Sequence, residues 1–171
     1  MSGLFITIEG PDGAGKTSVL EELYPRLQLE AKRDIVKTRE PGGVKIAEKI
    51  RRIILDPKNS EMDERTEALL YAAARRQHLI QVILPALNEG KIVICDRFVD
   101  SSLAYQGAGR RIGIPEIARI NEFATEGTEP DFTLYLDVDS DTGLRRIQEH
   151  RAHQLDRLDA EGLEFHQRVR H

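Results

Sequence analysis

Eight residues near the amino terminus, Gly10-Pro11-Asp12-Gly13-Ala14-Gly15-Lys16-Thr17, fit the spacing G-x-x-x-x-G-K-[ST], which builds a phosphate site largely from main chain. Gly10 and Gly15 permit the turn, successive N–H groups enclose an anion, Lys16 reaches the β/γ-phosphates and the Thr17 hydroxyl ligates Mg2+. With Ser18 behind it, the stretch is the expected ATP-binding set. Such a loop names a phosphoryl donor but no acceptor, because GTPase switches, motors and small kinases share it.

A second stretch, Lys91 to Gly107 (KIVICDRFVDSSLAYQG), ends an apolar run with Asp96 and Arg97. Asp96 can organise Mg2+ and Arg97 can clamp phosphate opposite the loop; alternatively, Asp96 is only a strand cap. The guanine motif N-K-x-D is absent, and D-x-x-G occurs only as Asp159 to Gly162 in a charged tail, which argues against a switch GTPase.

These groups need a scaffold, and periodicity supplies one. Leu4 to Ile8 reads as a strand and Lys16 to Lys32 as a helix that Pro25 is expected to bend or split; Asp34 to Thr38 is a second strand. Val44 to Leu55 is an amphipathic helix. From an Asp63 N-cap, a long helical pattern runs to Gly90, with a kink expected at Pro85. Lys91 to Cys95 is apolar without alternation, as in a central parallel strand. Ile114 to Glu126 is helical, Phe132 to Val138 is a fourth strand and Asp141 to His150 is helical. Strands separated by helices imply right-handed crossovers, an α/β fold with a parallel sheet, and ligands at the carboxyl ends of the strands. Both chemistry-bearing stretches fall at such ends.

The 171 residues suit one domain. Net charge is −4, from 25 Lys and Arg against 29 Asp and Glu, which opposes a broad nucleic-acid footprint. No segment approaches the ~20 apolar residues of a membrane span, and no signal-peptide pattern opens the chain, so a cytoplasmic protein is expected. Cys95, the single cysteine, reads as a buried small hydrophobe. Arginine pairs such as Arg75-Arg76 and Arg110-Arg111 read by themselves as solvated helix faces.

GPDGAGKT, TREPGG (Thr38 to Gly43), Asp96-Arg97 followed by DSSLAYQG (Asp100 to Gly107), and DRLD (Asp156 to Asp159) together resemble thymidylate kinase of the bacterial form. The resemblance covers essentially the whole chain and implies a three-layer P-loop kinase that moves a phosphoryl group from Mg·ATP to dTMP. Chemistry agrees: a monophosphate with a second pKa of about 6 is already a nucleophilic dianion at neutral pH. No general base is required, and catalysis falls to cations that let two anions meet in line.

The resemblance implies catalytic roles for Lys16 and Arg97, with Arg39 and Arg97 on the acceptor phosphate and Arg51 lining the acceptor pocket. It implies that Asp12 accepts from the 3′-hydroxyl and that Tyr105 crowds the sugar 2′ position. Tyr71 and Arg75, four apart on one helix face, read by themselves as a core tyrosine and a solvated arginine. By resemblance Tyr71 stacks on thymine and Arg75 donates to its O4, with Ser102 and Gln106 also facing the base. A lid over residues 149–159 is implied; in the family either the phosphate loop or the lid contributes the transition-state arginine, and with no basic residue from Pro11 to Ala14 the resemblance implies the lid, through Arg151 or Arg157. His150 and His153 are given no role. A homodimer is implied, without nucleic acid or membrane as partner.

Family members continue for several tens of residues, with a further strand and helix, so truncation at the carboxyl end is expected. Leu163 and Phe165 then read as a helix short of a partner. The competing readings are a kinase of another nucleoside monophosphate and a non-catalytic nucleotide-binding protein.

Overall fold

Four parallel strands carry the site in the computed structural model of the chain, which describes residues 2–151 and 155–171. They are β1 (Leu4–Glu9), β2 (Ile35–Arg39), β3 (Ile92–Asp96) and β4 (Phe132–Tyr135), in the order β2-β3-β1-β4. Asp96 pairs with Ile8 on one side and Arg39 on the other. The segments after β1, β2 and β3 therefore leave the sheet side by side at one edge. Val93, Ile94 and Cys95 of β3 are buried, as a central strand requires. β4 is an exposed edge strand, shorter than the expected 132–138.

Helices cover the sheet: α1 (Lys16–Glu30), α2 (Lys45–Leu55), α3 (Glu64–His78), α4 (Leu84–Asn88), α5 (Val99–Ser102), α6 (Ile114–Thr125), α7 (Ser140–Arg151) and α8 (Leu163–Arg170). Pro25 does not split α1 into two elements. Pro25 and Glu21 both face solvent, so water can satisfy the Glu21 carbonyl that the missing N–H would have met. Asp63 caps α3, its carboxylate accepting from the Arg65 and Thr66 N–H groups at 3.0 Å each.

The expected kink at Pro85 is absorbed upstream. Between α3 and α4 the chain takes a wide π turn, Leu79–Ile83, and the Leu84 N–H bonds to the Leu79 carbonyl five residues back. Widening the turn relieves the clash of the proline ring with the preceding carbonyls. Leu79 and Ile83 point into the main core with Phe5, Val93 and Phe98. A second π segment, Leu103–Gly109, extends α5, an element periodicity did not reveal.

Phe165 is not short of a partner. It is buried with Val169 against the Leu103–Gly109 segment, its ring edge-on to Tyr105 at 6.1 Å. A Cβ on Gly109 would stand 2.7 Å from Phe165 Cε2, so glycine allows the close approach. Leu163 stays exposed. Among the described residues no helix is long and apolar enough to cross a membrane.

Candidate active site

A cleft of about 630 Å³ opens at the carboxyl edge of the sheet, lined by the loop after β1, the turn after β2, α3 and the segment after β3. Gly10 (φ 151°), Gly13 (φ 75°) and Gly15 (φ 91°) take backbone conformations that side chains resist, turning the loop around its N–H groups. Gly15 caps α1, so the positive end of that helix opens on the loop. Thr17 and Ser18 are exposed at its first turn. Behind the loop, α7 lies backbone to backbone: a Cβ on Gly143 would stand 2.6 Å from the Asp12 carbonyl oxygen.

Lys16 and Arg97 converge on one atom. Lys16 Nζ donates to the Gly10 carbonyl at 2.9 Å and to that of Pro11 at 3.0 Å; Arg97 Nη1 donates to Gly10 at 3.0 Å. Burial, and the Arg97 charge beside it, lower the Lys16 ammonium to a pKa of about 8, with Asp12, Asp96 and Glu9 opposing. Arg97 sits in left-handed backbone (φ 70°), a conformation that costs a non-glycine residue about 1–2 kcal/mol. The turn aims its guanidinium at Asp12, 2.6 Å away, and lays it over the Tyr105 ring.

Tyr105 donates to Asp12 Oδ2 at 2.6 Å and accepts from the Asp12 N–H at 3.0 Å. Glu9, which the sequence reading missed, buttresses this group. Buried at the end of β1, it accepts from the Phe98 N–H at 2.7 Å and the Ser101 hydroxyl at 2.5 Å, and burial raises its pKa. Ser101 in turn accepts from Arg97 Nη1 at 3.0 Å.

Arg75 is buried, correcting the solvated reading. Nε donates to Glu40 Oε2 at 2.7 Å, Nη1 to Ser102 Oγ at 3.0 Å and to Asn121 Oδ1, and Nη2 to the Phe98 carbonyl at 2.8 Å. Tyr71 lines the same cleft, where burial raises its phenol pKa. Gln106 also lines it and donates to Glu67 at 2.8 Å. Arg39 and Arg51 both donate to the Pro41 carbonyl at 2.9 Å, and Arg39 also pairs with Glu48. These two bring positive charge to the mouth of the cleft from β2 and α2.

Arg157 is turned away from the cleft, contrary to its expected part in phosphoryl transfer. Its Nε donates to the Ile54 carbonyl at 3.0 Å and Nη2 pairs with Glu67, a buried carboxylate that also holds Arg110. A guanidinium so committed ties the chain after residue 155 to α2 and α3. Arg151 ends α7; of the expected lid, residues 152–154, including His153, lie outside the described residues. Arg146, one turn earlier on α7, lines the cleft and donates to the Gly13 carbonyl at 3.1 Å. It was missed because it belongs to an arginine pair on a polar helix.

The residues fit a divalent cation. Asp96 Oδ1 is buried and has no hydrogen-bond partner among the described residues, and Thr17 lines the same cleft. A free carboxylate oxygen and a hydroxyl lining one cleft, with phosphate oxygens to complete the shell, would suit a nucleotide-bound Mg2+.

A loop shaped to take a phosphate chain, with Arg39 and Arg97 lining the same cleft from the ends of β2 and β3, is what joining two anions requires. These features define a P-loop nucleotide phosphotransferase of the α/β class. The thymidylate kinase family model matches residues 8–171. The chain is 77% identical over 171 residues to the thymidylate kinase of Enterococcus faecalis, covering all of this chain and 81% of that one. It is 65% identical to that of Latilactobacillus sakei, covering 99% and 79%. It also superposes on the crystal structure of thymidylate kinase from Ehrlichia chaffeensis with a TM-score of 0.77 at 35% identity, covering 99% and 82%. The chain belongs to the thymidylate kinase family. These relatives do not favour a kinase of another monophosphate or a non-catalytic protein.

Proposed function

We propose that this enzyme transfers the γ-phosphoryl group of Mg·ATP to dTMP by in-line displacement, as one domain acting in the cytoplasm on the way to dTTP. The observation that carries the mechanism is the convergence of Lys16 and Arg97 on the Gly10 carbonyl. Two cations held at one point by different elements can neutralise charge on a phosphoryl group passing between donor and acceptor.

Gly10 to Ser18 hold the ATP phosphates, and Thr17 and Asp96 would hold Mg2+, which neutralises charge on the β- and γ-phosphates. Arg39, Arg51 and Arg97 take the acceptor phosphate, where bidentate geometry favours guanidinium over ammonium. Asp12 receives the 3′-hydroxyl and Tyr105 fills the space a 2′-hydroxyl would need. Tyr71 stacks on thymine, Arg75 donates to its O4, and Ser102 and Gln106 complete the base pocket. Arg151 is the remaining candidate for the lid arginine. A homodimer is supported by the apolar Ile46 and Ile53 of α2 and Leu69 of α3, all exposed; sedimentation tests it.

Turnover of dTMP, dUMP, dCMP, AMP and GMP with Mg·ATP is the deciding measurement, and dTMP should be consumed fastest. Lys16→Met should lower dTDP formation by about a hundredfold or more. A variant that turns over like the parent would overturn the assignment of donor and loop.

A further inference from the structure

His78 is fully buried in the last turn of α3 and belongs to none of the motifs that mark the site. Nδ1 lies 2.9 Å from Glu40 Oε1, and a carboxylate only accepts, so Nδ1 carries a proton. Nε2 meets the Thr38 hydroxyl at 2.6 Å. The second oxygen of Glu40 receives Arg75 Nε at 2.7 Å, with both partners 2% exposed. One imidazole thus fixes one end of a carboxylate whose other end fixes the guanidinium assigned to the acceptor base.

The same ring is the floor of the turn after β2. A Cβ on Gly43 would stand 2.6 Å from His78 Cδ2 and 2.9 Å from Thr38 Oγ1. The Pro41 carbonyl, two residues before Gly43, anchors both Arg39 and Arg51. Base-facing and phosphate-facing groups of the acceptor site are therefore aligned on one buried side chain.

Cys95 stands close enough to make Glu40, His78 and Cys95 a three-donor cluster for a metal ion. Each donor is already committed: Glu40 to His78 and Arg75, His78 to Thr38, and the Cys95 thiol to the Arg97 carbonyl at 3.1 Å. Burial also pushes the thiol pKa up, away from the thiolate a metal needs, and the Arg75 guanidinium opposes a second cation. Thr38, His78, Glu40 and Arg75 instead form a hydrogen-bond relay, with Cys95 beside it.

We propose that His78 is a positioning residue for acceptor selection, holding Glu40 so that Arg75 meets the base at a fixed angle while the turn presents Arg39 and Arg51 to the phosphate. This rests on the assignment of Arg75 to the base. His78→Leu removes both contacts; His78→Asn keeps a donor where Nδ1 stood, and His78→Gln keeps a polar atom where Nε2 stood.

Steady-state kinetics on dTMP and dCMP, with ATP varied separately, distinguish the outcomes. His78→Leu should raise KM for dTMP and narrow the dTMP:dCMP ratio of kcat/KM by about tenfold each, the size a lost hydrogen bond to a charged group carries. KM for ATP should move less than about twofold, since the donor loop is not on the relay. Asn should recover most of the selectivity and Gln little of it, a ranking that a purely structural role, read from Tm, would not impose. If the leucine variant does not fold, the Asn and Gln pair carries the comparison alone. Equal selectivity in those two, or unchanged selectivity in the leucine variant while Arg75→Gln narrows it, overturns the proposal. If Arg75→Gln leaves selectivity intact, the assignment of Arg75 to the base is what fails, and the proposal falls with it.

Discussion

The Arg97 guanidinium and the Asp12 carboxylate meet at 2.6 Å where β3 and the phosphate loop face each other, and Tyr105 closes the triangle from the other carboxylate oxygen. Burial raises the Asp12 pKa, but the charges of Arg97 and Lys16 outweigh it and hold the acid at about 2, below its ordinary 3.8. A folded-state value below the unfolded one contributes stability above pH 3.8 that is lost as pH falls through about 2. Asp12→Asn should therefore unfold about 2 kcal/mol more easily at pH 6, with the gap closing toward pH 2. Urea titrations across that range measure it, and a gap independent of pH would remove the charge pairing as its cause.

The Lys16 ammonium, lowered to about 8, titrates within the working range of most assays. In the free enzyme kcat/KM for ATP should fall as pH rises above about 8, because the discharged amine no longer attracts a triphosphate. Lys16→Arg keeps its charge and should lack that descending limb. A limb that persists in the arginine variant belongs to another group.

Arg157 and Arg146 should separate stability from activity. Arg157→Met removes one of the groups that hold the fully buried Glu67, which keeps Arg110 and Gln106, and should cost about 1–3 kcal/mol in unfolding free energy. Arg146→Met removes an exposed cation from the donor side of the cleft; kcat/KM for ATP should drop about tenfold with little change in Tm. Calorimetry beside kinetics on both variants checks the pair.

Gly109→Ala should destabilise by about 1–3 kcal/mol, since its methyl group would meet Phe165 at 2.7 Å and Val169 at 2.9 Å. Phe165→Leu placed on top should recover part of that loss. Additive losses in the double variant would show that the two positions do not collide.

The sequence was most legible where chemistry is local. The loop from Gly10 to Thr17 reads directly because its main chain makes the site, and Asp96 reads from its position at the end of an apolar strand. Arg75 was hidden because its burial depends on Glu40, Ser102, Asn121 and Phe98, which lie between 23 and 46 residues away. Arg157 looked available for phosphate because nothing near it in sequence announces Glu67, 90 residues earlier. The π segment before Arg110 escaped periodicity because a wide turn abandons the 3.6-residue repeat. Glu9 carried no signal beyond a lone carboxylate ending an apolar strand, and His78 none beyond one more polar residue after Arg75-Arg76-Gln77.

The contact of Gly143 with the Asp12 carbonyl has a mechanical meaning. Where two main chains touch, no rotamer can flex to absorb a displacement, so a tilt of α7 would press directly on the loop at Asp12. Arg146 rides on that helix and reaches the Gly13 carbonyl, while Asp12 rides on the loop. Helix and loop are thus coupled through bare main chain, and a bulkier residue at position 143 would push them apart.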